Sequence, residues 1–324
     1  MDTNIKTIGV LTSGGDAPGM NAAIRAVVRT AITRGYNVKG VRHGYNGLLT
    51  GDICEMNLRS VSEIIHRGGT ILYTARCLEF KTIEGQKKAA EACRAENIDA
   101  LVVIGGDGSF RGCKDLAAQG IPCIGIPGTI DNDIACSDYT IGYDTAMNTA
   151  VEMIDKLRDT TQSHDRCSVV EVMGRNAGYI ALNTGIAVGA LAILVPEVPY
   201  DLERDVLSKM QRTQKTGKKH FIIINAEGVG HASDIANEIQ ARTGIDSRAT
   251  VLGHVQRGGS PSLRDRVVAS RLGYHAVELI SKGIFNRVVA TRAESIVDYD
   301  ISVALSMYKT LDTAMLDIAS TISI

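Results

Sequence analysis

The chain has 324 residues, about twice the usual length of one domain, so we expect two lobes. Its 35 Lys and Arg against 36 Asp and Glu give a formal net charge of −1 at pH 7, whereas a general nucleic-acid binder needs a basic surplus. Aromatic residues make up 4% of the chain and Trp is absent, which also disfavours a stacking platform for single strands.

Neither a membrane segment nor a metal centre built on cysteine is expected. No apolar run reaches the length of about 18 residues that a membrane-spanning helix needs, and the first ten residues lack the apolar core of a signal peptide. The seven cysteines form no CxxC pair, so we predict free thiols in a cytoplasmic protein and no structural zinc. Cys123, within an apolar run, is predicted to be a buried small hydrophobic residue.

Short β-branched runs alternate along the chain with glycine turns and segments of helical period. In chain order, the predicted strands are Ile5–Leu11, Ala100–Ile104, Cys123–Ile126, Ser168–Met173, Leu191–Val195, Phe221–Asn225 and Thr250–Leu252. The predicted helices are Asn21–Arg34, Thr145–Arg158, Asp201–Gln214 and Ser262–Lys282, and the second of them has an inner face of Ala146, Ala150, Ile154 and Leu157. Runs this apolar are typical of strands buried on both faces, so we predict a doubly wound α/β fold.

In such folds ligands bind beyond the carboxyl ends of the strands, and two glycine turns follow predicted strands there. The first turn, TSGGDAPGMN at 12–21, lets backbone amides approach a phosphate, although it lacks the Lys-Ser/Thr ending of the common P-loop. The second turn, GGDGS at 105–109, can present Asp107 to a divalent metal while its backbone cradles phosphates. Each turn alone is equally consistent with a tight connection.

The third turn, PGTIDND at 127–133, is the most specific of the three. Asp131 and Asp133 stand two residues apart, so in extended backbone both carboxylates would point to one side. Two carboxylates beside a metal suit deprotonation of an alcohol. The alternative is a polar loop with Asx turns.

Basic residues recur near the ends of the later strands, at Arg166, Arg175, Arg248, His254 and Arg257. An arginine fork matches phosphate geometry. Each residue alone is more typical of a surface or salt-bridge position, but together they favour a phosphorylated substrate.

With these motifs the sequence resembles the bacterial ATP-dependent 6-phosphofructokinase family over essentially its whole length. The matching segments are LTSGGDAPGMNAAIR, HRGGTILYTARC, VVIGGDGS, PGTIDNDI, EVMGRNAG, AEGVG and VLGHVQRGGSP. The resemblance implies transfer of the ATP γ-phosphoryl group to O1 of fructose 6-phosphate, with Mg²⁺, in a cytoplasmic homotetramer of glycolysis.

The resemblance also implies roles for individual residues. Asp131 would be the general base that accepts the sugar hydroxyl proton, Thr129 and Asp133 would order the reaction centre, and Arg76 and Arg175 would offset charge on the transferring group. The implied ATP contacts are Gly15, Tyr45, Arg76, Cys77, Gly106, Asp107, Gly108 and Ser109, with Asp107 serving Mg²⁺. The implied sugar contacts are Thr129, Asp131, Met173, Gly174, Arg175, Glu227, His254 and Arg257, with Arg166 and Arg248 from a neighbouring subunit.

Donor choice and regulation depend on a few further positions. In pyrophosphate-dependent relatives Asp and Lys replace the residues at 108 and 128; here both are glycine, so we expect ATP to fit and Gly108→Asp to suppress its use. The residues that match the family's second nucleotide site, for ADP or phosphoenolpyruvate, are Arg25, Arg29, Arg158, Lys218 and Lys219. Leu191 replaces the usual acidic metal ligand and Thr216 a common arginine, so we expect a weak or absent response to either effector.

The resemblance implies two Rossmann-like lobes, each a mostly parallel sheet between helices, that exchange segments. Residues 1–142 and 256–306 would form the ATP-binding lobe, and residues 143–255 and 307–324 the fructose 6-phosphate-binding lobe. The alternatives are a pyrophosphate-dependent phosphofructokinase, a lipid or dinucleotide kinase with the same GGDG turn, and a non-catalytic nucleotide-binding regulator.

Overall fold

The computed structural model describes residues 5–323. Over these residues the strands are β1 (Thr7–Thr12), β2 (Asn37–Val41), β3 (Ile53–Met56), β4 (Ala100–Gly105), β5 (Cys123–Pro127), β6 (Cys167–Val172), β7 (Ala192–Leu194), β8 (Phe221–Ala226), β9 (Ser247–Val251), β10 (Arg287–Arg292) and β11 (Ser295–Asp300). The helices are α1 (Met20–Thr33), α2 (Tyr45–Thr50), α3 (Ile83–Ala95), α4 (Asp107–Ala118), α5 (Tyr143–Ser163), α6 (Tyr179–Ala187), α7 (Ser208–Gln214), α8 (Ala232–Thr243), α9 (Leu263–Ser281), α10 (Ile301–Ser306) and α11 (Ala314–Ile322).

The described chain divides into two compact units. Unit 1 contains the described residues up to Ile130, then Ile134–Thr145 and Arg257–Lys309; unit 2 contains Asp131–Asp133, Ala146–Gln256 and the described residues from Thr310 onward. The chain passes between the units at five points, one of which lies within α5. None of the described helices is long and apolar enough to cross a membrane.

Unit 1 is built on a seven-stranded sheet in the order β11-β10-β5-β4-β1-β2-β3. The inner strands pair in parallel, and the antiparallel pairs β2–β3 and β10–β11 lie at its two edges. Every residue of β1, β4 and β5 is buried, as the predicted two-sided burial requires. Cys123 is fully buried in this core.

Unit 2 is built on a four-stranded, fully parallel sheet in the order β7-β8-β6-β9. Its central strands β6 and β8 are almost wholly buried, and Ala146, Ala150 and Ile154 of α5 are fully buried as predicted. The expectation of burial on both faces is wrong for β9, which is an edge strand with Val251 61% exposed. The predicted helix 201–214 begins as a π-turn, Glu203–Leu207, before α7.

Candidate active site

The predicted glycine turns meet at one edge of the unit 1 sheet because β1, β4 and β5 are neighbours there. The amide of Ser13 donates to the carbonyl of Ile104 at 2.9 Å, and the amide of Gly128 donates to the carbonyl of Gly105 at 2.9 Å. The Ser109 hydroxyl also donates to the carbonyl of Ser13 at 3.2 Å. These bonds join the three turns into one backbone surface, as expected for a site at the carboxyl ends of parallel strands.

Two glycines in this surface are required by close approach of their neighbours. A Cβ at Gly105 would lie 2.4 Å from the Ser13 carbonyl oxygen. A Cβ at Gly15 would lie 2.5 Å from Nη1 of Arg257, whose guanidinium rests against the first turn. A side chain at Gly105 would push the first two turns apart, whereas one at Gly15 would displace the Arg257 guanidinium.

The second turn leads directly into α4, with Asp107, Gly108 and Ser109 in the first helical turn. Helix N-termini present unpaired N–H groups and a partial positive charge, which favours phosphate. Nothing lies within 4 Å of a Cβ placed at Gly108, so this part of the surface is open. The Asp107 carboxylate is 49% exposed and lies 4.0 Å from Arg111.

Tyr45 holds this turn through a hydrogen bond to its backbone. Its ring is buried and stacked on Phe80 at 4.1 Å, and its hydroxyl donates to the carbonyl of Ser109 at 2.6 Å. Burial raises the pKa of Tyr45 well above its usual value, so the ring remains a neutral donor. Arg76 is exposed and Cys77 half-buried on the segment that precedes Phe80.

The third turn departs from the expected geometry. Residues 130–131 form a turn and Asn132 has a φ of 52°, so the expectation that Asp131 and Asp133 lie in extended backbone is wrong. Alternation therefore does not place the two carboxylates on one side. Within unit 2, burial raises the pKa of Tyr179 to about 12, with further contributions from Glu197 and Asp133, so Asp133 lies near this phenol.

Met173, Gly174 and Arg175 directly follow β6 in unit 2. Gly174 and Arg175 have φ values of 143° and 57°, a turn that is strained for any residue except glycine. Oε1 of Glu227 accepts hydrogen bonds from the amides of Gly174 at 3.2 Å and Arg175 at 2.6 Å. Glu227 thus holds the turn that carries Arg175.

His254 and Arg257 lie in a 3₁₀ turn, Gly253–Arg257, and the two residues have different surroundings. His254 is exposed, whereas Arg257 belongs to unit 1 with its Nη1 3.9 Å from Asp16. Between them Gln256 is fully buried, and its Oε1 accepts a hydrogen bond from the amide of Met173 at 2.8 Å.

Arg166 and Arg248 share one carboxylate in unit 2. Their Nε atoms lie 2.5 Å and 2.9 Å from the two oxygens of Asp246. Although partial burial opposes it, pairing with both arginines lowers the pKa of Asp246. Two cations on one anion leave a net positive charge beside the exposed edge strand β9.

The residues matching the effector site occur in two sets. Arg25 and Arg29 lie one turn apart on α1 in unit 1. In unit 2, Arg158 donates to the carbonyl of Val188, and burial and Arg158 together lower the pKa of Lys218. Lys219 lies 3.9 Å from Asp165, and Leu191 is buried in the core that α7 and α8 cover.

Sequence reasoning did not identify Gln256, Asp246 or Asp16 as parts of these sites. Gln256 contacts Met173, which is 83 residues away in the chain, so no local pattern reports the contact. Asp246 stands two residues before Arg248, and this acidic–basic spacing next to a strand was an available signal. Asp16 lies within the first glycine turn itself.

Comparison with known proteins gives consistent matches. Residues 7–280 match a family model described as phosphofructokinase. The chain is 57% identical over 320 residues to the ATP-dependent 6-phosphofructokinase of Clostridioides difficile (strain 630), covering 99% of this chain and 100% of that protein.

Solved structures of larger proteins also match this chain. The phosphofructokinase of Pichia pastoris superposes with a TM-score of 0.90 at 34% identity, and that of Saccharomyces cerevisiae with 0.86 at 35%. These matches cover 98% and 93% of this chain but only 37% and 44% of the yeast chains, so this chain spans less than half of either.

Proposed function

Because this chain belongs to the phosphofructokinase family, we propose that it transfers the γ-phosphoryl group of ATP to O1 of fructose 6-phosphate, forming fructose 1,6-bisphosphate and ADP. The observation that carries the proposal is the joining of three glycine turns at the start of α4, which forms a backbone surface suited to phosphates. Identity over the full length of a bacterial ATP-dependent relative supports the same reaction.

The donor is assigned to unit 1. Gly15, Gly106 and Gly108 allow the triphosphate close to backbone amides, and Ser109 adds a hydroxyl in the first turn of α4. The remaining proposed contacts are Arg76, Cys77 and, through its bond to the Ser109 carbonyl, Tyr45.

A magnesium ion fits the residues that are present. Within residues 5–323, no group of three His, Cys, Asp or Glu side chains is placed to hold a metal ion. Mg²⁺ in kinases is commonly held by one or two carboxylates together with substrate phosphates and water. Asp107, exposed at the start of α4, supplies such a carboxylate, and the bound ion would neutralise charge on the phosphate oxygens.

The acceptor is assigned mainly to unit 2. Met173, Gly174 and Arg175 would contact the sugar from the turn after β6, with Glu227 holding that turn and reaching the sugar with its second carboxylate oxygen. His254 and Arg257 would bind the 6-phosphate, where a guanidinium matches the geometry of the oxygens.

The proposed chemistry needs one base and positive charge. Asp131 accepts the proton of the 1-hydroxyl as O1 bonds to the γ-phosphorus and the bond to the bridging oxygen of ADP breaks. Thr129 and Asp133 order the reacting groups. Arg76 and Arg175 stabilise charge on the transferring phosphoryl group, where fixed cations act most strongly.

The test is fructose 1,6-bisphosphate formation by the purified full chain with Mg²⁺, with ATP and pyrophosphate assayed in parallel. We expect turnover with ATP, because the open space at Gly108 leaves room for an α-phosphate. Turnover with pyrophosphate alone would refute the assignment of the donor. Tight ATP binding without turnover would instead favour a non-catalytic regulator.

For regulation we propose a weak response to ADP and phosphoenolpyruvate. The candidate site keeps Arg25, Arg29, Arg158, Lys218 and Lys219. Leu191, which is buried in the unit 2 core, stands where the family resemblance implies an acidic metal ligand, and Thr216 stands where it implies an arginine. A shift of fructose 6-phosphate half-saturation by sub-millimolar amounts of either ligand would contradict this.

A cytoplasmic homotetramer is the proposed assembly. Arg248 lies on the edge strand β9 and Arg166 directly precedes the neighbouring strand β6, and from there both would reach the 6-phosphate bound by a neighbouring subunit.

A further inference from the structure

Asp265, in the first turn of α9, is fully buried, and its carboxylate accepts hydrogen bonds from residues outside its own helix. Its Oδ1 accepts from the Tyr139 hydroxyl at 2.5 Å and from the Gly142 amide at 2.7 Å. Its Oδ2 accepts from the amide and the hydroxyl of Thr145, at 2.9 Å and 2.5 Å. A buried carboxylate is tolerated only when its oxygens are satisfied in this way.

These donors lie at the start of α5, so Asp265 caps a helix that begins more than 100 residues earlier in the chain. Gly142 and Thr145 supply two of the amides that α5 cannot pair internally. A negative charge at this end of α5 is also favourable to its dipole.

The bonding departs from the local pattern of the sequence. Ser262 and Asp265 have the spacing of a capping box, in which the acidic side chain returns to the first amide of its own helix. Half of this box is present, since the Ser262 hydroxyl accepts from the Asp265 amide at 3.2 Å. The other bond of the box, from the Ser262 amide to the Asp265 carboxylate, is replaced. The Ser262 amide donates to the Thr145 hydroxyl at 2.9 Å, and the Asp265 carboxylate accepts from residues 139–145.

The segment that Asp265 holds lies against the start of the third glycine turn, within unit 1. The Thr140 hydroxyl donates to the carbonyl of Thr129 at 2.7 Å. The amide of Ile141 donates to the carbonyl of Pro127 at 3.0 Å, and Ile141 forms an isolated bridge with Gly128. The backbone of residues 127–129, which is also held by β5 and by the bond from Gly128 to Gly105, is therefore held on its other side by a segment that Asp265 anchors.

We infer that Asp265 is a positioning residue for phosphoryl transfer, because it anchors residues 139–145 and thereby the backbone that carries Thr129. The inference rests on the proposed function, which places Thr129 at the reaction centre. Asp265 touches no substrate in this role. We expect the larger effect on the chemical step, because residues 139–145 hydrogen-bond to the backbone of residues 127–129, whereas Ile141 and Gly142 meet the first glycine turn by packing against Ala17 and Gly19.

The test uses Thr145, which can be changed with almost no change in volume. Thr145→Val removes the hydroxyl that donates to Asp265 and accepts from Ser262, whereas Thr145→Ser keeps it. For the valine variant of the full chain we expect kcat to fall by about tenfold or more, because small misplacements at a reaction centre are costly. The dissociation constant for ATP should stay within about twofold of the parent, and the serine variant should restore kcat.

A second variant keeps the inference testable if the valine variant does not fold. Tyr139→Phe removes one donor to Asp265 and leaves the others, so kcat should fall by less than in Thr145→Val, again without weaker ATP binding. Unchanged kcat in folded Thr145→Val or Tyr139→Phe would overturn the inference, as would parallel losses of ATP affinity and kcat. Absence of turnover by the parent chain would instead count against the proposed function.

Discussion

At the scale of single residues, Gly108 tests the choice of phosphate donor. Gly108→Asp should fold normally, because the new Cβ meets open space and a carboxylate in the first turn of α4 is favourable to the helix. The same carboxylate would repel the phosphates of ATP. We expect kcat/KM for ATP to fall by about 100-fold, equivalent to ~2.7 kcal/mol.

Gly108→Ala is the matched control for this prediction, because it adds the same Cβ without charge. Its melting temperature should equal or exceed that of the parent, since alanine is a better helix former than glycine. If both variants lose ATP turnover equally, steric blocking and not charge repulsion decides donor use. Unchanged turnover in Gly108→Asp would show that a carboxylate at position 108 does not decide whether ATP is used.

Thiol labelling tests the placement of the nucleotide. Cys54 and Cys77 are the half-buried cysteines, and the other five are buried. Burial raises the pKa of Cys93 and of Cys167 to about 12, so these thiols stay protonated and inert at pH 8. We expect a maleimide to label Cys54 and Cys77 in the native protein, and Mg-ADP to slow labelling at Cys77.

In the same sample Cys54 serves as the internal reference, because it lies on β3 and is not a proposed nucleotide contact. Mass spectrometry of the labelled peptides measures both rates. Equal slowing at both cysteines would indicate general tightening of the protein, and no slowing at Cys77 would separate this residue from the nucleotide site.

At the scale of elements, the turn after β6 depends on Glu227. Glu227→Ala removes the acceptor for the amides of Gly174 and Arg175, whose conformation is strained. We expect the KM for fructose 6-phosphate to rise at least about tenfold while the KM for ATP changes little, because the turn belongs to unit 2. Initial rates with each substrate varied in turn measure both constants.

Glu227→Gln separates the two ways in which this side chain acts. The amide oxygen of glutamine can still accept from both turn amides, so the KM for the sugar should lie between those of the parent and Glu227→Ala. If Glu227→Gln is as impaired as Glu227→Ala, the charge of Glu227 matters and holding the turn is the minor role.

Local pattern predicts every strand of unit 2 and the central strands of unit 1, and the strands it misses form the antiparallel pairs β2–β3 and β10–β11 at the two ends of the unit 1 sheet. The runs at β1, β4, β5, β6 and β8 are apolar because helices or chain cover both faces. The β10–β11 hairpin carries charged residues and turns through Ala293 and Glu294, with φ values of 45° and 66°. That turn usually holds Asn-Gly, so its sequence gives no hairpin signal.

The candidate site divides in the same way. The three glycine turns could be predicted because glycine has no side chain and therefore lets backbone amides come close to a phosphate. Asp265 and Gln256 could not, since each contacts residues 83 or more positions away and neither needs an unusual residue type. The turn at Asn132 was also hidden, because alternation assumes the extended backbone that its φ of 52° breaks.

At the scale of the whole molecule, the proposed homotetramer makes each site depend on two chains. Arg248 would act on the sugar bound by its neighbour, whereas Asp131 would act within its own chain. Arg248→Ala and Asp131→Asn should each be nearly inactive alone at low fructose 6-phosphate. Arg248→Ala should not disturb the fold, since the Arg248 side chain is 67% exposed and Asp246 keeps Arg166 as a partner.

Mixing the two inactive variants then tests the shared site directly. If chains exchange at random, about a quarter of the sites join an intact Asp131 to an intact neighbouring Arg248, so activity should return to about a quarter of the parent's. Denaturing and refolding the mixture allows exchange, and light scattering checks that tetramers form. Mixing Arg248→Ala with Arg166→Ala is the control. In the proposed site one neighbouring chain supplies both arginines, and in this mixture every chain lacks one of the two. Recovery must therefore be absent in this control, and a mixture of Asp131→Asn and Arg248→Ala that stays inactive would place Arg248 in the site of its own chain.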